Sequence, residues 1–228
     1  MSTFQTIWSG LDWNYLVEMV IGVIPALICI TLHELSHGVV AYSLGDDTAK
    51  KMGRLTLNPI RHIDIMGLLM MVFFRFGWAK PVPVNMSRFK DPKKGMAITA
   101  LAGPLSNVII AIVFLFLYGL LFVPLSNGGS VSEIIIDMLA LTAYMSIGFA
   151  VFNILPIPPL DGSKVLFSLM NDQQYRTLMR YERYGMLLLL ALVASGVLGQ
   201  PLSNLTQNIF NRLFVIARAG YDLSVRIF

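Results

Sequence analysis

Long apolar segments alternate with polar connections along most of this chain. Because a helix needs roughly 20 mostly apolar residues to cross a bilayer, the pattern predicts membrane-spanning helices over four segments: residues 14–44, 96–123, 131–158 and 184–200. A shorter apolar segment, residues 65–76, predicts a re-entrant or interfacial element. The hydrophobic pattern therefore predicts an all-α polytopic membrane protein.

The C-terminal segment, residues 203–227, has a mixed pattern. Leu205, Ile209 and Leu213 recur at helical spacing, but arginine residues interrupt the segment. This pattern predicts either an amphipathic helix on the membrane surface or a final span that is only weakly apolar.

The composition agrees with a membrane protein. Hydrophobic residues make up 56% of the 228 residues and charged residues only 13%, whereas a soluble domain has about 25% charged residues. Cys29 is the only cysteine. This count excludes an intramolecular disulfide, and a small buried apolar residue is expected at that position.

The positive charges are concentrated on one predicted side of the membrane. Ten of the 17 basic residues lie between Lys50 and Lys94. The positive-inside rule therefore places residues 45–95 and 160–183 in the cytoplasm, and the N-terminus and residues 124–132 outside. Because no basic residue precedes Lys50, the first span is expected to be retained and not removed as a signal peptide. The net charge of +4 follows from this topology and from contact with anionic lipid, so no nucleic-acid partner is expected.

The sequence HELSH, residues 33–37, places ionisable side chains within an apolar predicted helix. Residues four apart share a helix face, so His33 and His37 can direct two imidazoles at one metal ion. In the H-E-x-x-H arrangement the histidines bind zinc and the glutamate, here Glu34, is a general base. Chance occurrence is the alternative, but a charged group near the centre of a membrane helix costs about 2.5–3.5 kcal/mol and is functional by default.

A catalytic zinc site needs a third protein ligand, and the segment after the third predicted span offers one. The prolines of the sequence PIPPLDG break the helix at membrane depth, and Asp161 lies just beyond them. The predicted topology puts Asp161 on the same side of the membrane as His33 and His37. One alternative is that Asp161 is an ordinary turn residue. Another is that His62 is a further ligand, although a solvated or interfacial histidine is expected at position 62.

Four segments together resemble the site-2 proteases, a family of zinc-dependent intramembrane proteases. They are HELSH at residues 33–37, GRLTLNPIRHID at 53–64, LAGPLSN at 101–107 and NILPIPPLDG at 153–162. The resemblance implies that His33, His37 and Asp161 hold one zinc ion per chain and that Glu34 is the catalytic base. It also implies a catalytic core of three spans, which matches the first three predicted spans.

The resemblance further implies an activity and its setting. The implied activity is an endopeptidase that cuts transmembrane segments of membrane-protein substrates near the cytoplasmic face of a prokaryotic plasma membrane. The chain has no room for the PDZ or CBS domains of many relatives, so a single domain is expected over residues 1–228. Its core is expected over about residues 14–170, with C-terminal helices over about 184–228 and a small re-entrant or β segment around 53–90.

Asn107 and Asn153 lie in predicted apolar spans. Each of them either forms a hydrogen bond between helices or binds the substrate and stabilises the oxyanion of the transition state. The resemblance favours the second role for both residues.

Residues 77–88 contain two prolines and alternating valines, a pattern that predicts an extended edge and not a helix. An exposed edge can hold an unwound substrate by strand addition. Backbone groups of Val82, Val84 and Asn85 are the candidates for that pairing, and an ordinary interfacial loop is the alternative.

Two other functions are compatible with a metal site in a membrane. A metal transporter would place polar or acidic residues across several spans, whereas the ionisable groups of the motif gather at one depth. An inactive homologue that only binds substrates would not need Glu34 as a base.

Overall fold

A computed structural model describes residues 13–67 and 78–228. The α-helices within these residues are α1 (Trp13–Ser43), α2 (Thr48–Lys51), α3 (Pro92–Leu125), α4 (Ser130–Asn153), α5 (Asp161–Ser168), α6 (Asp172–Ala194), α7 (Gly199–Leu213) and α8 (Val215–Ile227). Short 3₁₀ helices occupy Pro59–His62 and Met86–Arg88. An isolated antiparallel bridge joins Ile63 and Ala79, and the described residues contain no longer strand. The predicted all-α fold class is therefore confirmed.

In the part of the chain that the structure describes, three helices are long and apolar enough to cross a membrane: Ile21–Ser43 within α1, Pro92–Leu125 and Ser130–Asn153. They confirm the first three predicted spans, although α4 ends at Asn153 and not at residue 158. Pro156 explains the early end, because it has no N–H for a helical hydrogen bond and disfavours the helical conformation at the residue before it. The predicted short apolar element at 65–76 lies mostly outside the described residues.

The fourth predicted span, residues 184–200, is not a single straight helix. α6 ends at Ala194, Gly196 has a φ of 73°, and the helical segment Gly199–Ile227 runs at 85° to Tyr184–Ala194. Glycine adopts a positive φ without the steric cost of a side chain, so Gly196 permits this bend. The two arms together are long and apolar enough for one further, broken span.

The C-terminal helices pack on the core, with α7 against α4 and α8 against α3. A Cβ atom at Gly119 would collide with the carbonyl of Ala217, and one at Gly220 would collide with the carbonyl of Phe116. Small residues therefore let the backbones of α3 and α8 approach closely, which is a common mode of helix association in membranes. The segment whose pattern was ambiguous is thus part of the helical bundle. The buried core at this contact comprises Ala111, Leu115, Ala143, Ile147, Val151 and Ala217.

The polar connection between α1 and α3 is tied to the end of α1. The buried carboxylate of Asp46 accepts hydrogen bonds from the backbone N–H groups of Thr48, at 3.0 Å, and Asn85, at 2.6 Å. A Cβ atom at Gly38 would lie 3.2 Å from Cγ1 of Val82. The non-helical stretch that contains Val82 and Asn85, hereafter the 78–85 segment, therefore lies across α1 beside the HELSH motif.

Candidate metal centre

Three side chains converge near one end of the membrane-spanning helices. His33 and His37 lie one turn apart on α1, with their Nε2 atoms 3.0 Å from each other. Oδ2 of Asp161, the first residue of α5, lies 3.1 Å from Nε2 of His33 and 3.2 Å from Nε2 of His37. All three residues are buried. Among the described side chains of residues 21–67 and 78–228, no other group of three or more His, Cys, Asp or Glu donors has such a spacing.

The spacing of this cluster fits a tetrahedral zinc ion. Bonds of about 2.0–2.2 Å to nitrogen and oxygen place tetrahedral donors roughly 3.3–3.6 Å apart. The three donor–donor distances, 3.0, 3.1 and 3.2 Å, lie just below that range. Neutral imidazole and carboxylate are also the donor types of catalytic zinc sites, which keep a fourth position open. The cluster therefore has the composition and spacing of a three-ligand zinc site.

Each histidine is oriented through its outer ring nitrogen. Nδ1 of His37 lies 2.7 Å from the carbonyl oxygen of Thr99 on α3, so this nitrogen carries a proton and donates. Nδ1 of His33 lies 3.2 Å from the side-chain amide of Asn107, also on α3. Hydrogen bonds of this kind fix the tautomer and the ring orientation of metal-binding histidines and leave Nε2 available to the metal.

Asn107 therefore contacts the histidine pair directly. Its side chain is buried, and the oxygen of its amide has no hydrogen-bond partner among the described residues. When Nδ1 of His33 carries the proton, its hydrogen-bond acceptor is the amide oxygen of Asn107. The oxygen and nitrogen of the Asn107 amide are then assigned in the opposite positions. Sequence reasoning missed this contact with His33. The predicted role of Asn107 in substrate binding stays a prediction.

Gly103 on α3 provides the space for both imidazole rings. A Cβ atom at this position would lie 2.5 Å from Cε1 of His33 and 2.5 Å from both Cε1 and Nε2 of His37. Thr99, Gly103 and Asn107 are spaced by four residues, so one face of α3 supplies a carbonyl acceptor, a gap and an amide at successive turns. This spacing is the signal in the sequence that predicts which α3 residues face the histidines.

Replacing Gly103 with alanine is expected to lower zinc affinity by about 10–100-fold, the usual cost of disturbing the groups that orient metal ligands. The added methyl group displaces both rings from the position in which their Nε2 atoms converge. Gly22→Ala on α1 is the matched control, because a Cβ atom there meets no atom within 4 Å. Zinc content after competition with a chelator measures the effect. Equal zinc affinity in the wild type and Gly103→Ala would contradict the described ring contacts.

Asp161 reaches the histidines because the chain turns sharply after α4. A side chain at Gly162 would collide with the carbonyl groups of Ile154 and Leu155, so glycine lets the start of α5 lie against the end of α4. Nζ of Lys164 lies 3.8 Å from Oδ1 of Asp161, while Oδ2 faces the histidines. Sequence reasoning missed Lys164 at this site, although an i,i+3 spacing on a helix is typical of such pairs.

Glu34, which follows His33 on α1, is held by a backbone amide. Its Oε2 accepts a hydrogen bond of 2.8 Å from the N–H of Val82. The N–H of Asn85 donates to Asp46. Two of the three residues whose backbone groups were expected to pair with a substrate strand therefore use their N–H groups inside the protein. The N–H groups of Val82 and Asn85 are therefore not free for strand addition, because the carboxylates of Glu34 and Asp46 accept them. Pairing through the other backbone groups of this stretch stays a prediction.

Three other residues singled out from the sequence lie outside the cluster. His62 is 1% exposed, and its Nε2 donates to the carbonyl of Thr56 at 2.9 Å. The predicted solvated position of His62 is therefore wrong, whereas its interfacial position stays a prediction. His62 does not belong to the donor group that can hold a metal. Asn153 donates from Nδ2 to the carbonyl of Phe149, one turn earlier in α4, at 3.0 Å. The role of Asn153 in substrate binding stays a prediction. The buried position predicted for Cys29 is confirmed.

The fold and the site together define a helical integral membrane protein with a candidate metal centre among its helices. Residues 119–197 match the model of peptidase family M50. A Bacillus subtilis protein named "Putative zinc metalloprotease YwhC" is 35% identical over 212 residues, which cover 90% of each chain. The chain therefore belongs to peptidase family M50, the family of the site-2 proteases.

More distant relatives carry similar names. A Mycobacterium tuberculosis (strain H37Rv) protein named "Putative zinc metalloprotease Rip2" is 28% identical over 176 residues, which cover 75% of this chain and 66% of the relative. A Methanocaldococcus jannaschii protein named "Putative zinc metalloprotease MJ0611" is 33% identical over 135 residues, which cover 59% of this chain and 62% of the relative. No solved structure matches the chain significantly. The resemblance predicted from the sequence motifs is thus confirmed at the level of the family.

Proposed function

We propose that this protein is a zinc-dependent endopeptidase that hydrolyses peptide bonds within transmembrane segments of membrane proteins. The observation that carries the proposal is the convergence of His33, His37 and Asp161, with Glu34 next to them on α1. Two histidines, a carboxylate and a general base are the protein groups of a zinc peptidase. The names of the relatives, which are zinc metalloproteases, support the choice of metal and of reaction.

The four side chains have separate roles in this proposal. Nε2 of His33, Nε2 of His37 and Oδ2 of Asp161 would hold one zinc ion per chain. Bound zinc supplies a Lewis acid that polarises the scissile carbonyl and lowers the pKa of water. Glu34 takes a proton from the attacking water and passes it to the leaving amine.

Asn107 and Asn153 remain the candidates for contacts with the substrate. A carboxamide donates N–H groups that can stabilise a developing oxyanion. With the oxygen and nitrogen of its amide exchanged, so that the oxygen accepts from Nδ1 of His33, the atom of Asn107 without a partner among the described residues is the amide nitrogen, which is a donor. Asn153 uses one of its two N–H bonds on the carbonyl of Phe149 and retains the other.

The position of the site supports cleavage near one face of the membrane. His33 precedes the end of α1 at Ser43 by about 15 Å along the helix, and Asp161 follows the end of α4. With residues 45–95 and 160–183 in the cytoplasm, that face is the cytoplasmic one and the N-terminus is outside. The proposal places a single domain, residues 1–228, in a prokaryotic plasma membrane, where the lipid bilayer and membrane-protein substrates are its partners.

A metal transporter and an inactive binding protein are less well supported. The charged residues of α3 and α4 are Lys93, Lys94, Glu133 and Asp137, all within about the first two turns of these helices, and the following apolar turns contain no Asp, Glu, Lys or Arg. A transport path lined by acidic groups through these two helices would need such residues along their length. An inactive binding protein would have no need of Glu34, since binding requires no general base.

Cleavage in proteoliposomes tests the proposal. The purified protein is reconstituted with single-span substrates of varied sequence, and mass spectrometry of the products locates the cut. We expect cleavage within the apolar segment of at least one substrate, loss of cleavage when a chelator removes the metal, and recovery with added zinc. Cleavage that is insensitive to chelation, or confined to soluble parts of every substrate, would reject the proposed function.

The proposed topology has its own test. Single cysteines at Asn127, Lys94 and Lys164 are introduced in a Cys29→Ser background, and intact cells are labelled with a membrane-impermeant maleimide. We expect labelling at position 127 only, and labelling at 94 and 164 after the cells are opened. Protection of position 127 in intact cells would refute the charge argument and place the site near the opposite face.

A further inference from the structure

The 78–85 segment contacts the catalytic motif through a single amide, and we propose that the Val82 N–H positions Glu34 for proton transfer. This inference rests on the proposed function of Glu34 as a general base. It adds a positioning residue that lies outside the H-E-x-x-H motif. Val82 acts through Glu34 and does not itself touch the substrate.

The hydrogen bond from Val82 restricts the side chain of Glu34, whose direction the helix alone does not fix. Glu34 is rotated by about 100° around α1 from His33, and a glutamate has three rotatable side-chain bonds. The N–H of Val82 binds Oε2 of Glu34 at 2.8 Å. A carboxylate offers about four acceptor positions, so one amide fixes its orientation and leaves Oε1 available to a water molecule.

The amide is fixed by bonds that do not involve Glu34. On one side, the N–H of Lys80 donates to the carbonyl of His62 at 2.9 Å, and Nη2 of Arg54 donates to the carbonyl of Lys80 at 2.7 Å. On the other side, the N–H of Asn85 donates to Asp46 at 2.6 Å. Hydrogen bonds on both sides of Val82 therefore fix the position of its N–H, and the side chain of Glu34 takes the conformation that reaches it.

The sequence Pro81-Val82-Pro83 is suited to presenting one amide. Neither proline has an N–H, so Val82 supplies the only backbone donor of these three residues. A residue before proline is also restricted to extended conformations, which applies to both Lys80 and Val82. Little conformational freedom remains to be lost when the amide binds the carboxylate.

Gly38 allows the segment to approach α1 closely. It lies four residues after Glu34, on the same face of the helix. A Cβ atom at Gly38 would lie 2.5 Å from Cδ2 of Leu55 and 3.2 Å from Cγ1 of Val82, whose side chain is buried. The glycine that follows HELSH therefore provides the surface on which Val82 rests while its amide binds Glu34.

Replacement of the Val82 amide by an ester tests the proposal in the full-length protein. Cell-free synthesis with the 2-hydroxy analogue of valine at position 82 removes the N–H and keeps the side chain. We expect kcat to fall by about 10–100-fold, the cost of misplacing a catalytic group, with KM and zinc content unchanged. The matched control is an ester at Lys94, whose N–H donates to the carboxylate of Asp91 at 3.1 Å, away from the HELSH motif. The control is expected to keep the wild-type kcat.

Thermal stability gives a readout that does not depend on activity. In the otherwise wild-type protein, which keeps Glu34, the ester at Val82 removes a hydrogen bond to the Glu34 carboxylate, so the melting temperature is expected to fall. In a Glu34→Ala background the same ester removes a donor whose partner is already gone, so no fall is expected. This dependence on Glu34 distinguishes a specific contact from general loosening of the segment.

The outcomes separate this inference from the proposed function. Zinc-dependent cleavage that is abolished by Glu34→Ala but unaffected by the ester at Val82 would overturn the positioning role alone. A rise in kcat with the ester would also overturn it, because the amide would then restrain the base. An equal fall in melting temperature in both backgrounds would show that the amide acts on a group other than Glu34. A wild-type protein that cleaves no membrane substrate would instead reject the function on which the inference rests.

Discussion

Alanine in place of Glu34 is expected to reduce proteolysis by a factor of about 10²–10⁴ and to leave zinc bound, because this variant removes the proposed general base and keeps the proposed ligands. The three donor atoms that converge within 3.0–3.2 Å belong to His33, His37 and Asp161, not to Glu34. Glu133→Ala, an exposed glutamate in the first turn of α4, is the matched control. It is expected to keep both zinc and activity.

Initial cleavage rates and metal analysis of the same preparations check this result. Retained cleavage above about 1% of the wild-type rate would contradict the role of Glu34 as general base. Loss of zinc together with activity would instead make Glu34 a metal ligand. A parallel loss in Glu133→Ala would point to general damage from removing a glutamate from the bundle.

Asp161→Ala is expected to lose both zinc and activity. Removing a direct ligand is expected to lower zinc affinity by more than the roughly 10–100-fold that follows the loss of an orienting group. The variant also leaves Nζ of Lys164 without the carboxylate that lies 3.8 Å away, and a cation so placed disfavours a metal ion. Asp137→Ala, an exposed aspartate of α4, is the control that changes the same residue type away from the cluster.

Competition with a fluorescent zinc chelator measures the affinity of each variant. Asp161→Ala with wild-type zinc affinity would make Asp161 a structural residue at the start of α5. In that case the third donor to His33 and His37 would have to be sought elsewhere, since the described side chains of residues 21–67 and 78–228 form no other group of three or more His, Cys, Asp or Glu donors.

The parts of the site that the sequence predicted follow from local geometry. A spacing of four residues on a helix is sufficient to bring His33 and His37 together. The position of Asp161 was also predictable, because prolines after α4 end the helix and a charged residue follows at membrane depth. The three spans were predictable from length and apolar character alone.

Contacts between distant parts of the chain were not predictable in the same way. Glu34 and Val82 are separated by 48 positions, and no periodicity in the sequence relates a proline-flanked amide to a glutamate on another element. His62 lies in a basic polar stretch, which favours solvent exposure, yet the fold buries it against the carbonyl of Thr56. The bend between α6 and α7 depends on the positive φ of Gly196, which hydropathy does not report.

The bond between Asp46 and the 78–85 segment has a consequence for acid conditions. Burial raises the pKa of the Asp46 carboxyl, but hydrogen bonds from Thr48 and the Asn85 amide, together with the charge of Arg88, outweigh it and hold the pKa below its ordinary value. A carboxyl with a lowered pKa stabilises the folded state above its unfolded-state pKa, and that stabilisation is lost only as the pH falls through the lower folded-state value. Mild acidification therefore leaves Asp46 ionised and the Asn85 amide bound. The Val82 donor therefore keeps its place beside Glu34 when the surrounding pH falls mildly.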